Sequence, residues 1–267
     1  MKSNKRAEAV TLANKKRTWY SPVAEIYLEA RPNYSQVLID CTIAHTKLNS
    51  DSQVLEVGSG PGNATIPFAR SGASIKCIEH NRDFCLLAQQ NTKQFSKVEI
   101  YHCSFEEWEL EPNKYHAVLS ANAFYQVPSE VSYQKAAAAL KERGYLILLW
   151  NLTPELKYEV YQTVESIYRA YVPSLARYEG VEIQKEILQR FEQDIRNSGY
   201  FKQPVTQQLH CRTTYTIKQY LNLLSTLRRI DAEVKEPFFN QLEKQLQNQG
   251  SSVELSFLAA VHVAQKH

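Results

Sequence analysis

Two carboxylates and three glycines in the first third of the chain carry the spacing of a ligand site. Glu56-Val57-Gly58-Ser59-Gly60-Pro61-Gly62 places an acid two residues before the first of three alternating glycines. Glycine lets a chain turn with positive φ, and without a Cβ it lets a ligand approach the backbone. Glu79 lies 21 residues beyond Gly58, at the end of the next apolar run. An acid about 20 residues after such a loop accepts both hydroxyls of a ribose. Two neutral donors on one ionised acceptor make a charge-assisted contact. The pattern therefore supports the capture of a nucleoside-bearing small molecule against a backbone turn.

These residues need a frame, and the surrounding sequence supplies one. Short apolar runs at Gln53–Val57, Ser74–Glu79, Lys97–His102, Tyr115–Ser120 and Tyr145–Trp150 alternate with helical stretches. Arg82 to Thr92 shows helical spacing through Phe84, Leu87 and Ala88. Ser129 to Arg143 is alanine-rich, with Gly144 as its stop. Asn63–Arg70 can open a helix directly after the glycine loop. Strands alternating with helices predict an α/β fold: a doubly wound, mostly parallel sheet with right-handed crossovers. Its first βα turn is then the place where a ligand binds.

After Trp150 the pattern changes. Thr153-Pro154 reads as an N-cap and first helical position, followed by Leu156, Val160, Val164, Ile167 and Tyr171 on one helix face. Further helices are predicted at about Gln184 to Ser198, Ile217–Ile230 and Lys235–Gln249, and strands at Gln207–Thr214 and Val253–Ala264. The expected organisation is a basic flexible tail over 1–20, a ligand-binding core over 21–151, a helical cap or insertion over 152–206, and strands and helices completing the sheet over 207–267.

Three kinds of site compete for the loop. A dinucleotide site needs G-x-G-x-x-G, but the position of its third glycine is Asn63. A P-loop needs Lys-Ser or Lys-Thr after its last glycine, and neither follows. An acid two positions before the first glycine marks an S-adenosylmethionine (SAM) site, and Glu56 is that acid. The bland alternative is a tight turn without a ligand.

The stretch resembles class I SAM-dependent methyltransferases, in particular the small-molecule branch related to trans-aconitate and ubiquinone/menaquinone-biosynthesis methyltransferases. The resemblance extends beyond the loop. Tyr27-Leu28-Glu29-Ala30-Arg31-Pro32-Asn33-Tyr34 resembles the family's Y-x-x-x-R-P-x-Y segment, and Leu119 to Gln126 resembles its segment after strand four. It covers about Ser21 to Asn151 well and the remainder in element order. It implies a Rossmann-like seven-stranded sheet with a reversed last strand, SAM as cofactor and S-adenosylhomocysteine (SAH) as product. It also implies that Glu56, Gly58, Ser59, Gly60 and Gly62 form the loop, with Glu79 and His80 at the ribose. Ser104 and Phe105 would flank the adenine, Ala121 and Asn122 the methionine arm, and Arg31 the SAM carboxylate. Three departures stand out: Ser104 where many members have Asp, Tyr115-His116 where Phe-Asp is usual, and Tyr125-Gln126 where His-Trp is usual.

The sulfonium of SAM is an excellent leaving group, so methyl transfer asks the protein mainly for proximity and orientation. A general base is needed only when the acceptor must shed a proton during attack. Tyr125 is the catalytic candidate, with His102 and the cap residues Tyr158, Tyr161 and Tyr171 behind it. The cap, which also holds Tyr168 and Tyr178, is expected either to line an aromatic acceptor pocket or simply to pack on the sheet. Metal chemistry is not expected, since His45, His210 and His262 are scattered and five cysteines form no CxxC pair.

Composition narrows the partners. A net charge of +3 is too small to imply nucleic acid, and no Asn/Asp-Pro-Pro-Tyr/Phe or Pro-Cys motif of base-modifying enzymes is present. No apolar run reaches the roughly 20 residues of a membrane span, and the basic stretch Met1 to Arg17 lacks a signal peptide's apolar segment. The expectation is a cytoplasmic enzyme with reduced thiols, a small-molecule methyl acceptor, no membrane or nucleic-acid partner, and room for a homodimer. A SAM-binding protein with no or regulatory activity is the alternative; an RNA methyltransferase ranks below it.

Overall fold

The structure is a computed structural model, and it describes residues 23–227 and 230–267. The expected 1–20 tail lies outside the described residues. Eight strands form a single sheet. Strands β1 (Gln53–Val57), β2 (Ser74–Glu79), β3 (Val98–His102), β4 (Tyr115–Ala121) and β5 (Leu140–Asn151) run parallel in the order β3-β2-β1-β4-β5. The long strand β8 (Ser252–Gln265) pairs antiparallel with β5, and with the two-residue β6 (Glu155–Leu156) that continues the line of β5. β7 (Val205–Thr216) closes the far edge, antiparallel to β8. With β6 counted as an extension of β5, this is the seven-stranded, mostly parallel sheet with a reversed last strand that the resemblance implies.

The strand sequences explain this arrangement. A sheet covered on both faces needs apolar side chains on both sides of each strand. Leu55, Val57, Ile78, Val118, Leu146, Leu148 and Trp150 enter one core layer, while Val54, Ile75, Cys77, Leu119, Ile147 and Leu149 enter the other. Helices α1 (Ala24–Ala30), α2 (Gln36–Thr46), α3 (Thr65–Ala69) and α4 (Arg82–Asn91) fall in the N-terminal half. Leu38, Ile39 and Phe68 of α2 and α3 fill the second layer. Helices α5 (Ser129–Ala139) and α7 (Gly180–Asn197) cover the first through Ala136, Ala139, Leu188 and Ile195. The edge strand β7 is half exposed along its length.

A third core joins α6 (Tyr158–Tyr171), α8 (Ile217–Leu227) and α9 (Ala232–Gln247) to the start of β8. The packing thus groups the chain differently from a cap over 152–206 and a completing segment over 207–267. Helix α6 from the first and α8 and α9 from the second share one core, while α7 lies on the sheet.

Local differences from the sequence reading have physical causes. The helix expected to Arg143 ends at Ala139, because the apolar Leu140 pairs with Tyr115 and enters the sheet. Gly144 therefore stops no helix; it lies inside β5, where a Cβ would come 3.0 Å from the Lys141 carbonyl. Thr153-Pro154 does not open α6, since β6 intervenes and α6 begins at Tyr158.

Candidate functional site

Parallel strands bring their carboxyl ends to one edge, and the switch point of this sheet lies between β1 and β4. The glycine loop sits there. Gly58, Gly60 and Gly62 all have positive φ (69°, 55° and 100°). A Cβ on Gly58 would come 2.5 Å from the Cβ of Ala123, so only glycine permits this approach of the loop to the residues after β4. At Gly60 a Cβ would meet nothing within 4 Å, because its open side faces the cavity.

Glu79 ties the loop to β2. It is 3% exposed; its Oε2 accepts from the Gly60 N–H (2.9 Å) and its Oε1 from the Asn81 N–H (2.7 Å). His80 Nδ1 lies 3.2 Å from the same Oε1, and His102 Nε2 lies 3.1 Å from the His80 carbonyl oxygen. Two carboxylate oxygens offer about four acceptor sites. The two backbone contacts fix the group and leave capacity facing the cavity it lines.

Glu56 is fully buried at the end of β1. Its Oε2 accepts from Thr65 Oγ1 (2.7 Å) and lies 3.7 Å from Cys77 Sγ, while Oε1 has no hydrogen-bond partner. Burial pushes its carboxyl up to about 7; the Thr65 and Cys77 contacts oppose the rise and the nearby Glu79 adds to it.

A cavity of about 450 Å³ runs from Gly58 and Gly60 past Glu79 to Ser104 and Phe105, and to Ala121 and Asn122. Phe105 is buried and stacks on Trp108 (5.9 Å, 12°). The Ser104 hydroxyl donates to Glu107 Oε2 (2.9 Å), so Ser104 and the Glu107 carboxylate stand together in the cavity.

A smaller cavity, about 50 Å³, adjoins it on the far side of the loop, lined by Arg31, Tyr34, Ser59, Asn63, Asn122 and Asn151 among others. Arg31 arrives there because α1 arches over the loop. Tyr27 packs edge-on against Phe84 of α4 (5.0 Å), and Tyr215 Oη donates to the Ala30 carbonyl (3.1 Å). The Arg31 guanidinium lies over the Tyr27 ring (5.0 Å), and Nη2 donates to the Thr226 carbonyl (2.6 Å). Among the described residues no carboxylate pairs with it. The segment after Arg31 is pinned by two asparagines. Asn151 Nδ2 donates to the Pro32 and Asn33 carbonyls (3.0 and 3.2 Å). Asn122 Oδ1 accepts from Asn151 N (2.7 Å) and Tyr34 Oη (3.2 Å). Around this cavity Arg31 Nε, Ser59 Oγ, Asn63 Oδ1 and Asn151 Oδ1 are buried without a partner. A mixture of unmet donors and acceptors suits a zwitterion such as an amino-acid head group.

All twelve residues expected to hold the cofactor cluster at this edge: Glu56 lies behind the loop, Gly62 closes the loop against Thr65 and Thr92 without lining either cavity, and the other ten line one cavity or both. Tyr27, Tyr34, Asn63 and Asn151 join them without having been assigned a role. Tyr27 and Tyr34 carried a signal, because they bracket Arg31 in the Y-x-x-x-R-P-x-Y segment. Asn151 carried none, because its contacts span more than 100 residues.

Tyr125 lies beside these cavities, in the single 3₁₀ turn Phe124–Gln126 after β4. Its ring stands against Trp150 and Phe191 and is 62% exposed, open to a third cavity. The protein around it raises its pKa above the ordinary tyrosine value, helped by the Tyr27 hydroxyl and opposed by Arg31. The cap tyrosines go elsewhere. Tyr161 and Tyr168 are buried in the third core, and the Tyr168 and Tyr220 hydroxyls pair at 2.8 Å. Tyr158 and Tyr178 line an open groove beside His210 and Arg212 that shares no residue with the glycine-loop cavity. His116 bridges the Gln53 N–H and Lys141, which makes the Tyr115-His116 departure structural. No described helix is long and apolar enough to cross a membrane.

Comparison with known proteins agrees with this geometry. Residues 54–144 match the methyltransferase-domain family model. A protein of Anaeromyxobacter dehalogenans assigned as a type II methyltransferase has a similar structure, with a TM-score of 0.60 at 12% identity over 88% of this chain and 97% of that one. The YcgJ protein of Bacillus subtilis gives 0.54 at 13% identity over 87% and 99%. A protein of Bacillus halodurans assigned as a methyltransferase gives 0.54 at 14% over 85% and 97%. At these identities the likeness is one of fold. No curated protein matches the chain. The matched methyltransferase domain spans the glycine loop, both acids and the strands that place them.

Proposed function

We propose that this enzyme transfers the methyl group of SAM to a small-molecule acceptor and releases SAH. The observation that carries the reading is Glu79: a buried carboxylate, fixed by the Gly60 and Asn81 N–H groups, with its remaining capacity turned into the glycine-loop cavity. Glu79 would take the ribose hydroxyls, held in place by His80. Phe105 would support the purine, with Ser104 and Glu107 at its polar edge. Gly58, Gly60 and Gly62 would leave room along the loop, and Ala121 and Asn122 would border the methionine arm. Arg31 would pair with the amino-acid carboxylate, and Ser59, Asn63 and Glu56 would meet the rest of that head group. The unpartnered donors and acceptors around the smaller cavity support this assignment.

SAM brings an electrophilic methyl on a sulfonium, and the protein's task is to hold the acceptor in line with it. Tyr34 is partly buried, with its hydroxyl on Asn122, and Tyr125 stands at the cleft; both hydroxyls have raised pKa values. At neutral pH they are protonated and act as hydrogen-bond donors that orient a substrate, not as bases.

Calorimetric titration with SAM and SAH tests the reading. Micromolar binding is expected for the wild type. Two charge-assisted bonds at about 1.5 kcal/mol or more each make Glu79→Ala at least on the order of 100-fold weaker. Glu79→Gln, which keeps the size and one acceptor oxygen, is expected to fall between. Equal binding by wild type and both variants, or none by the wild type, contradicts the assignment.

A further inference from the structure

A further cavity lies on the other side of the turn that carries Tyr125. It encloses about 700 Å³ between the Phe124–Gln126 turn, the start of α5, the end of β5 and the C-terminal half of α7. Gln126, Val127 and Pro128 line both this cavity and the glycine-loop cavity, so the two meet at these three residues.

Its walls are aromatic and its charge has one sign. Trp150 and Phe191 stack at 4.1 Å and 18°, and Tyr125 lies against Phe191 at 6.2 Å and 21°. Tyr125 is exposed and lines the cavity beside this stack. Glu130 and Asp194 line the same space, and neither forms an ion pair or side-chain hydrogen bond among the described residues. No Lys, Arg or His lines it. Trp150 is 2% exposed, and its Nε1–H is buried without an acceptor among the described residues. Ring faces attract cations through their quadrupole, and two uncompensated carboxylates add a field of the same preference. Both disfavour an anion.

We infer that this cavity seats the methyl acceptor and that the acceptor is an alkyl amine, methylated on nitrogen. The inference rests on the proposed methyl transfer. The amine reacts as its free base. Its nitrogen lone pair forms the new C–N bond while the S–C bond breaks and its electron pair stays on sulfur. The positive charge thus moves from sulfur to nitrogen, where the rings of Tyr125 and Phe191 and the carboxylates of Glu130 and Asp194 stabilise it. The alkylammonium first gives its proton to water to become that free base, whether the amine is primary, secondary or tertiary, and the methylated product keeps its positive charge at neutral pH.

Three probes of one shape test the charge preference: choline, neutral 3,3-dimethylbutan-1-ol and anionic 3,3-dimethylbutanoate. Each is titrated into the full-length protein at fixed ionic strength with saturation-transfer NMR detection, and SAH binding is measured on the same preparation. Choline is expected to bind at least about tenfold more tightly than either analogue. A Glu130→Gln, Asp194→Asn double variant and, separately, Tyr125→Leu should each weaken choline about tenfold and leave SAH affinity unchanged. Both acids are exposed, so the double variant keeps the fold. Equal binding of the three probes, tighter binding of the anion, or unchanged choline affinity in the double variant overturns the inference. If SAH binds and choline does not, the amine site falls and the cofactor assignment stands. If choline binds with the expected preference and SAH does not, the cationic site stands and the methyl-transfer reading falls.

Discussion

The two large cavities at the carboxyl edge are built by opposite means. The glycine-loop cavity is organised by a backbone turn, Gly58 to Gly60, and the Glu79 carboxylate, which lie close in sequence, with buried hydrogen bonds fixing Glu56 and Glu79. The neighbouring cavity is lined by residues drawn from 124–133, 148–150 and 191–198, with stacked rings and exposed carboxylates. Backbone geometry tolerates no substitution at its tight points, whereas a wall of side chains can change shape without disturbing the fold. Under the proposed function, that difference would give a fixed cofactor end beside an adaptable acceptor end.

The sharpest way to break the comparison is at Gly58. Gly58→Val adds a Cβ where Ala123 stands 2.5 Å away, on a residue with φ of 69°. The left-handed conformation alone costs about 1–2 kcal/mol, and displacing the loop weakens SAH binding on the order of 100-fold or more. Titration of SAH, with circular dichroism to confirm folding, measures it. A comparable substitution in the aromatic wall, Phe191→Leu, should leave SAH binding within about threefold.

Glu56 sets function against stability on the cofactor side. Its carboxyl is raised to about 7 from the ordinary 4.5, so the folded state binds its proton more tightly than the unfolded one. The stability this confers is complete below about pH 4.5 and is lost as pH rises to 7. Glu56→Gln carries no such charge. Its unfolding free energy should match the wild type near pH 5 and exceed it by on the order of 3 kcal/mol at pH 8 in the absence of ligand. Its SAH affinity should nevertheless be lower. Denaturant unfolding across pH checks the first statement; a parallel pH dependence of the two proteins contradicts it.

Smaller effects follow at the seam between the cavities. Asn151→Ala removes two hydrogen bonds to the Pro32 and Asn33 carbonyls and should cost about 1–2 kcal/mol of stability, with SAH affinity falling about threefold to tenfold. Tyr125→Phe keeps the ring and removes a hydroxyl whose pKa lies above its ordinary value. SAH affinity should stay within about twofold, and the pH–rate profile should show no lost inflection near neutrality.

The same contrast governs what the sequence reveals. The sheet and the glycine-loop cavity were legible, since alternating apolar runs dictate strands, and a glycine loop with two spaced acids is a local backbone device. Even there, Gly144 misled, because a glycine inside β5 and a glycine after a helix look alike until Leu140 is seen pairing with Tyr115. The segment joining Arg31 to the loop was half legible: its motif stood out, but the asparagines that hold it come from the ends of β4 and β5. The aromatic cavity was illegible. Nothing within Phe191 to Asp194 distinguishes it from any amphipathic helix, and only the fold brings it to Trp150 and Tyr125. The tyrosine-rich helix α6 drew attention as a pocket wall, yet its buried faces serve the core it shares with α8 and α9.

A crystal structure of the protein grown with SAH tests the central assignment most directly. The account predicts the ribose hydroxyls on the Glu79 carboxylate, the purine against Phe105 and the amino-acid head beside Arg31 and Ser59. SAH bound away from the glycine loop, or seated there with its ribose clear of Glu79, would contradict it.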